Sequence, residues 1–243
     1  MKRHCIPILF IWITGISVCK AQELPISVHY NERVPYLITT PEGVKGLTGT
    51  PVALAFKNAN IQYTWKKTPP KRQLKILKDN SGLDCIAGWF KNSEREKFAK
   101  YTHFIYQDKK QIALTKSDNK KLYNHMSTDA ALSSQGISLL LKDGYSYGAF
   151  LDKKIIQYRP TIYKSTIGNI AMLKMLQHNR VDYFFISYEE ADSLIESSGI
   201  PKSNFKYISF SDMPKGEKRY LLCSKKVGDD IIERLNSAIL DLL

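Results

Sequence analysis

The sequence predicts an α/β protein with mainly parallel sheets flanked by helices. Short apolar strands alternate with amphipathic helices along most of the chain, the alternation restarts after the polar stretch 116–121, and no repeat or low-complexity linker interrupts it. Such alternation is typical of parallel strands joined by helical crossovers. Because ligands bind at the carboxyl ends of such strands, we expect a small-molecule site there.

The first half of the chain divides into strands with alternating apolar side chains and short helices. Pro51, directly after Thr50, suits the first position of a helix, and Ser93 is a suitable N-cap. The predicted helices are 51–58, 73–78 and 94–100. The predicted strands are 24–30, 61–67, 83–87 and 112–115, with the apolar segment 34–38 following the first of them.

The second half of the chain repeats the same alternation. Asp143 and Gly144 end a predicted strand, and a helix is expected to begin near Ser146. The other predicted helices are 168–178, 189–197 and 229–242. The predicted strands are 137–141, 181–186, 205–210 and 220–224.

Residues 1–21 have the features of a cleaved secretory signal peptide. A basic start precedes the apolar run 6–18, which is too short to cross a bilayer because spanning takes roughly 20 residues. The small residues Cys19 and Ala21 then predict cleavage after Ala21. The alternative is a lipoprotein anchored through Cys19, but Val18 before it is bulkier than such sites favour.

The composition allows one large domain or two modest lobes. Removing 21 of the 243 residues leaves 222, and the formal charge falls from +13 to +10 because Lys2, Arg3 and Lys20 are lost. The lysines are spread along the chain, and no nucleic-acid recognition motif accompanies them. We therefore expect no nucleic-acid partner, and the charge fits a solvated surface or attraction to anionic envelope components.

Two of the four cysteines, Cys85 and Cys223, remain after processing. In an oxidising compartment such a pair is a candidate disulfide. Each cysteine lies in an apolar, strand-like stretch, so two small buried thiols are an equally good interpretation. The residues alone leave both interpretations open.

The sequence lacks the motifs of the common enzyme and metal sites. None of the five histidines stands at zinc-ligand spacing, and no P-loop, G-x-G-x-x-G or G-x-S-x-G motif occurs. The paired carboxylates Glu189 and Glu190 fall at a predicted helix start, where the helix dipole explains them. We therefore expect no metal ion, no cofactor and no catalytic residue.

Short segments in a fixed order run through nearly the whole mature chain. They are Tyr30 to Tyr36, Glu42 with Gly43, Gly46 to Gly49, Tyr63 to Trp65, Arg72 to Leu74, Asp84 to Gly88, Glu94 to Glu96, Lys142 to Tyr147, Asn179 to Asp182 and Tyr220 to Lys225. Their order and spacing resemble the bacterial extracellular solute-binding proteins of family 3. These are the type II periplasmic binding proteins that usually serve polar amino-acid ABC transporters.

The resemblance implies two α/β lobes joined by two crossover strands, with a ligand cleft between them. One lobe would combine 22–115 with 217–243, and the other would be 116–216. Such a monomeric receptor captures a small polar or anionic solute in the periplasm, closes on it by hinge bending and presents the closed form to a membrane permease. The alternatives are a receptor for a membrane signalling protein and a cyclohexadienyl dehydratase-like enzyme with Glu32 as its general acid.

The resemblance also implies which residues contact the ligand. Arg95 falls on the arginine that clamps a ligand carboxylate, a task that suits the planar fork of a guanidinium. From the residues alone, Arg95 would be a solvated part of a helix start. The other first-lobe candidates, several of them aromatic residues able to sandwich a ligand or hold a cation, are Glu32, Arg33, Tyr36, Trp65, Gly88, Trp89 and Phe90.

In the second lobe the resemblance indicates the loop formed by Gly144, Tyr145, Ser146 and Tyr147. At a helix start its backbone N–H groups would favour an anionic ligand group, although an ordinary turn capped by Ser146 is the alternative. The resemblance further places the strand 220–224 beside the strand 83–87 in one sheet. It thereby implies the Cys85–Cys223 disulfide that the residues alone left open.

Two positions depart from the amino-acid-binding members of that family. Phe90 stands where they commonly carry Ser or Thr, and Ser187 stands where they place the aspartate that pairs with the ligand's α-ammonium. A neutral hydroxyl cannot replace that charge, so an ammonium closed into the cleft would stay unpaired unless Glu32 or Glu189 compensates. We therefore expect a small polar or anionic solute other than a standard α-amino acid.

Overall fold

The computed structural model describes residues 24–242, so the predicted signal peptide and its cleavage site lie outside the described residues. Within this part the chain forms twelve strands. In chain order they are β1 (Ile26–Tyr30), β2 (Ile38–Thr40), β3 (Gly43–Lys45), β4 (Tyr63–Lys67), β5 (Asp84–Phe90), β6 (Ala99–Gln107), β7 (Gln111–Lys116), β8 (Ser138–Lys142), β9 (Thr161–Ser165), β10 (Tyr183–Ser187), β11 (Phe205–Ile208) and β12 (Lys218–Ser224).

The same part of the chain forms eight α-helices and a 3₁₀ turn at Lys202–Asn204. The helices are α1 (Gly49–Asn58), α2 (Pro70–Asp79), α3 (Ser93–Glu96), α4 (Thr128–Ser133), α5 (Ala149–Tyr158), α6 (Asn169–Gln177), α7 (Tyr188–Ser198) and α8 (Asp229–Leu240). Between residues 24 and 242 no helix has both the length and the apolar character needed to cross a bilayer.

The first sheet has the strand order β4-β1-β5-β12-β6. β1 runs parallel to both β4 and β5, whereas β12 is antiparallel to both β5 and β6. One face packs against α1 and α8, where Phe56 and Leu235 share a buried cluster with Val28. The opposite face packs against α2, where Leu77 lies in a cluster with Ile86. Helices therefore cover both faces, as burial of a parallel core requires.

The second sheet has the order β11-β7-β10-β8-β9. β8 runs parallel to β10 and β9, whereas β7 is antiparallel to β10 and β11. Successive side chains of β10 enter opposite cores, because side chains alternate across a strand. Phe184 packs in the cluster of α6 and α7, and Phe185 packs in the cluster of α4 and α5.

The chain passes between the two sheets twice, from β6 to β7 through 108–110 and from β11 to β12 through 209–217. This topology produces the predicted two-lobed α/β fold. The prediction that strand 112–115 belongs to the first lobe, with the boundary at 115, is wrong, because β7 pairs only within the second sheet. An antiparallel neighbour needs no crossover helix, so the strand–helix alternation carries no information on which sheet β7 joins.

Several elements differ from the predictions. The helix expected at 94–100 ends at Glu96, and its N-cap is Asn92 instead of Ser93, since the Asn92 side chain accepts the Arg95 N–H at 2.9 Å. The helix expected near Ser146 begins at Ala149. The strands β6 and β9, together with α4, were not predicted. Each missed strand lies at a sheet edge, where the burial pattern does not alternate regularly.

Cys85 of β5 and Cys223 of β12 lie opposite each other in the strand register and are joined by a disulfide. Both residues are fully buried in the core of the first sheet. The pairing implied by the resemblance is therefore confirmed. The bond links two strands that are separated by 138 residues in the sequence.

Candidate functional site

Two adjoining cavities lie between the two sheets. The Arg95 cavity is bounded on the first-sheet side by Tyr36, Gly88, Trp89 and Arg95. The Glu190 cavity is bounded on the second-sheet side by Gln111, Lys142, Tyr147, Asn169, Ser187 and Glu190. Both cavities share the lining residues Arg33, Phe90, Tyr145, Ser146 and Arg219, so they form one cleft. Most of the residues predicted for the site therefore come together here.

Three predicted residues lie outside these two cavities. Glu32 lies in a third groove, which borders the Glu190 cavity at Arg33 and Glu190. Its carboxylate accepts a bond of 2.5 Å from the Lys67 ammonium, and this bond lowers the pKa of Glu32. Trp65 packs edge to face on Tyr30 in the core of the first sheet. Gly144 lies against the aliphatic part of an exposed lysine. Trp65 thus has the packing role that aromatic residues in strands usually have.

Glu189, which was considered as a partner for a ligand ammonium, also faces away from the cleft. Its Oε1 accepts the Tyr106 hydroxyl at 2.9 Å and the Lys109 backbone N–H at 2.6 Å. The next residue, Glu190, lines the cleft instead and is only 1% exposed. Neither Glu32 nor Glu189 supplies the carboxylate that the sequence analysis looked for.

Arg95 is a buried cation with few partners. It is 6% exposed, its Nη1 donates to the Phe90 carbonyl oxygen at 2.7 Å, and its guanidinium stacks on the Trp89 ring at 4.7 Å. Among the described residues no carboxylate lies within ion-pair distance of Arg95. Burial lowers the pKa of Arg95, which reflects the cost of holding this charge away from water. An anionic group in the Arg95 cavity would relieve that cost.

Arg219 differs from Arg95 because its charge is neutralised. Its Nε and Nη2 donate to the two Asp108 oxygens, both at 2.7 Å, and its guanidinium lies 3.9 Å from the centre of the Tyr36 ring. Burial opposes the charged form, yet the Asp108 carboxylate raises the pKa of Arg219. The Ser187 hydroxyl donates to the same carboxylate at 3.0 Å. Ser187 thus helps to hold the Asp108 carboxylate in place.

Arg33 and Glu190 form a second ion pair, which crosses the cleft. Arg33 Nε and Nη2 donate to the two Glu190 oxygens at 2.7 and 2.5 Å, and Asn169 Nδ2 donates to Oε1 at 2.7 Å. Arg33 belongs to the segment between β1 and β2, whereas Glu190 belongs to α7. The Arg33 guanidinium also lies near the rings of Tyr36 and Tyr145, at 5.4 and 5.7 Å.

Lys142 adds a fourth cation. Its ammonium donates to Asn169 Oδ1 at 3.0 Å and lies 4.7 Å from the centre of the Tyr145 ring. Burial, and after it repulsion from Arg33, lowers the pKa of Lys142 to about 8. The cleft therefore holds Arg33, Arg95, Lys142 and Arg219 against the carboxylates Asp108 and Glu190. This excess of positive charge suits an anionic ligand.

In the loop from Gly144 to Tyr147, part of the backbone and the Ser146 side chain are bound within the protein. The Ser146 hydroxyl and the Tyr147 N–H donate to the two Asp152 oxygens at 2.5 and 2.8 Å, and Gly148 N–H donates to Ser146 Oγ. Burial raises the pKa of this Asp152 carboxyl. The anion position at this helix start is therefore occupied by a side chain of the same helix.

The aromatic side chains remain available to a ligand. Trp89 and Tyr145 face each other from the two sides of the cleft, with ring centres 6.1 Å apart and planes inclined by 31°. Tyr145 also lies near the Arg33 and Lys142 cations. The separation of 6.1 Å is less than the roughly 7 Å that a flat group stacked between two rings needs, twice the carbon–carbon contact distance, so a ligand bound here would lie along the edges of these rings.

The sequence analysis missed the cleft residues Asp108, Lys142, Asn169, Glu190 and Arg219. A signal existed for Glu190, because consecutive helical residues differ by about 100° in direction and only one of Glu189 and Glu190 could face the cleft. No comparable signal marks Asp108 and Arg219. They meet only because the two crossovers lie side by side, with Asp108 N–H donating to the Glu217 carbonyl oxygen.

No protein-family model matches this sequence, and no curated protein matches it either. Solved structures match most of the chain. An ancestral arginine-binding protein bound to arginine gives a TM-score of 0.69 at 15% identity, covering 89% of this chain and 91% of that one. A structure from work on glutathione import via GshT and the cystine ABC importer TcyBC of Streptococcus mutans gives 0.71 at 14%, covering 91% and 90%.

A third match is ArtJ, the arginine-, lysine-, histidine-binding protein of Geobacillus stearothermophilus, with a TM-score of 0.69 at 12% identity and coverage of 90% and 89%. This chain has the two-lobed type II periplasmic-binding-protein fold. In this type II fold the Arg95 and Glu190 cavities lie between the lobes. At these identities the likeness extends to the fold and not to the ligand.

Proposed function

We propose that this protein is a solute-binding protein of the periplasm, which captures a small polar or anionic solute between its lobes for an ABC transporter. The observation that carries the proposal is Arg95, a buried guanidinium in an interlobe cleft that has no carboxylate within ion-pair distance in the part of the chain that the structure describes. A buried charge is stable only when it is paired or neutralised. A captured anion would supply the missing partner.

The ligand contacts follow from the cleft. Arg95 binds the anionic group through parallel charge-assisted hydrogen bonds. The edges of the Trp89 and Tyr145 rings border the body of the solute, and Lys142 adds positive charge beside Tyr145. Tyr36, Phe90 and Arg219 line the cleft between Arg95 and Lys142, with the Arg219 guanidinium against both rings.

A standard α-amino acid fits this cleft poorly. Ser187 offers no charge to an ammonium, and its hydroxyl is bound to Asp108. Glu190, a carboxylate lining the cleft, already accepts three hydrogen bonds from Arg33 and Asn169. The similar structures include a protein bound to arginine and one from work on glutathione import, and this chain shares their fold.

The protein acts as a monomer, without a cofactor and without catalysing a reaction. Each lobe is one sheet with its flanking helices, and hinge bending at the two crossovers brings the lobes together on the solute. The partner is then a membrane permease that recognises the closed form. Glu32 is unsuited to be the general acid of a dehydratase, because its carboxylate pairs with Lys67 and this pairing lowers its pKa.

A binding screen tests the proposal. The mature protein is mixed with dicarboxylates, keto acids, sulfonates, phosphate esters, sugars, polyamines and the common amino acids, and thermal shifts are confirmed by isothermal titration. We expect stabilisation by an anion that lacks an ammonium group, following RT ln(1 + [L]/Kd). Micromolar binding of a common amino acid would contradict the proposal. Failure of every tested anion to bind would contradict it as well. Loss of uptake of the identified solute in a deletion strain would establish the transport role.

A further inference from the structure

The Arg33 side chain occupies the place in the cleft that best suits a cation. Its guanidinium makes a two-pronged contact with Glu190 and lies near the rings of Tyr36 and Tyr145. A carboxylate together with aromatic faces is the environment that proteins use to bind guanidinium or ammonium groups. The structure therefore contains a complete cation subsite, and the protein's own side chain fills it.

Hydrogen bonds between residues of the second lobe hold the subsite in place. Glu190 is 1% exposed, and Asn169 fixes its Oε1 with a bond of 2.7 Å. Asn169 is in turn held by Lys142 Nζ at 3.0 Å. Arg33, in contrast, has a side chain that is 23% exposed and comes from the segment before β2 on the other lobe. The carboxylate is thus fixed in one lobe, and the cation is inserted from the other.

We propose that Arg33 is a built-in counter-ion: its guanidinium fills the cation subsite formed by Glu190, Asn169 and Tyr145, and thereby excludes solutes that carry a positive charge. This inference rests on the proposed binding function and narrows its substrate class to anions without a cationic group. A solute such as arginine would have to displace Arg33 from Glu190 and would leave Arg33 as an uncompensated cation. Excess positive charge in the cleft would then disfavour the complex.

The same contact acts across the interface between the lobes. Arg33 and Glu190 pair in the interior of the cleft, and Lys71 pairs with Asp143 at 2.6 Å at its exposed edge. Removal of Arg33 therefore has two effects: it vacates the subsite and it removes an interlobe contact. The experiment must separate these two effects. It therefore needs a small free cation that can fill the subsite but cannot restore the covalent connection between the guanidinium and the first lobe.

The test uses methylguanidinium, a cation that has no carboxylate for Arg95 to bind. Its binding to the wild-type protein, to Arg33→Ala and to the double variant R33A/E190Q is measured by isothermal titration and by thermal shift, with sodium chloride at equal ionic strength as the control. We expect saturable binding by R33A alone. Loss of the charge on Glu190 should raise the Kd of the double variant at least about tenfold, because hydrogen bonds to charged groups are strong.

Saturable binding of methylguanidinium by the wild-type protein would overturn the proposal. Equal binding by R33A and R33A/E190Q would do the same, because Glu190 would then not be the acceptor. If R33A does not fold alone, it is refolded with methylguanidinium. Refolding of R33A at methylguanidinium concentrations that leave the double variant unfolded supports the proposal. Failure of methylguanidinium to refold R33A contradicts it. No anionic solute enters this experiment, so its failure is distinguishable from failure of the proposed function.

Discussion

Arg219 and Asp108 join the two crossovers between the lobes. Asp108 lies in the first crossover and Arg219 is the second residue of β12, and the two side chains share a pair of hydrogen bonds of 2.7 Å. Both side chains are almost completely buried. Their pairing therefore ties the first crossover to the start of β12, where the chain has just passed between the lobes a second time.

We expect Asp108→Asn to destabilise the protein strongly. The substitution leaves the Arg219 charge buried without its carboxylate, and breaking a buried pair in this way costs about 3–5 kcal/mol. Urea unfolding followed by circular dichroism measures the free energy of unfolding. The double variant D108N/R219M, which removes both charges, should recover part of the loss. A double variant less stable than D108N would show that the pair is not the cause.

The disulfide should account for a second large part of the stability. Replacing both Cys85 and Cys223 with Ala removes a cross-link between strands that are 138 residues apart in the sequence. Loss of a native disulfide typically costs about 2–5 kcal/mol. Urea unfolding with and without a reductant measures the effect. The reductant should lower the free energy of unfolding of the wild-type protein and leave that of C85A/C223A unchanged. Free thiols in the unreduced wild-type protein would contradict this prediction.

The sequence predicted local features of this protein well and long-range features poorly. The β5 and β12 segments and the helices around them follow from periodicity. The disulfide and the site role of Arg95 were predicted only through a family resemblance, because the residues alone left a thiol pair equally acceptable and favoured a solvated arginine. Contacts such as Arg33 with Glu190 join residues that are 157 positions apart. No local pattern specifies such a contact, since it depends on how the lobes meet.

Edge strands show the same limit within secondary structure. β6 has only part of one face buried, so its polar and apolar residues do not alternate with period two. The pairing with β12 stabilises it nonetheless, and this pairing involves a segment more than 100 residues away. Propensity is a weak guide where cross-strand contacts decide the structure.

Anion binding should weaken as the pH rises through about 8, where the Lys142 ammonium loses its proton. The folded pKa lies below the ordinary lysine value of about 10.4, so Lys142 becomes neutral in the folded cleft before it would in the unfolded chain. A neutral Lys142 reduces the positive charge that faces the anion. Isothermal titration of the tightest-binding anion from pH 7 to pH 9 measures the effect.

The variant Lys142→Met should bind that anion more weakly at pH 7 and with little dependence on pH. In the wild-type protein, the titration of Lys142 also makes the free energy of unfolding depend on pH. The unfolded chain binds more protons than the folded one between the two pKa values, so the contribution of Lys142 to stability rises with pH there. An unchanged pH dependence in K142M would assign the titration to another group.

Arg95→Met should abolish anion capture while leaving the fold intact. Methionine keeps an apolar side chain on the Trp89 ring, where the guanidinium now stacks, but it has no charge and no hydrogen-bond donors. Each charge-assisted hydrogen bond contributes about 1.5–3 kcal/mol, so affinity for the anion should fall at least about tenfold. Because a buried charge without a carboxylate partner is removed, R95M should also be at least as stable as the wild-type protein in urea.

Lys97→Met is the matched control for R95M. Lys97 directly follows α3, has an exposed ammonium and pairs with Glu94 at 2.6 Å, so its loss removes one positive charge without touching the cleft. Isothermal titration of both variants with the same anion separates the local contact from net charge. If the two variants lose affinity equally, the anion is attracted by the overall charge of the protein. If only R95M loses affinity, the anion lies in the Arg95 cavity, where no carboxylate of the described residues is within ion-pair distance of the buried guanidinium.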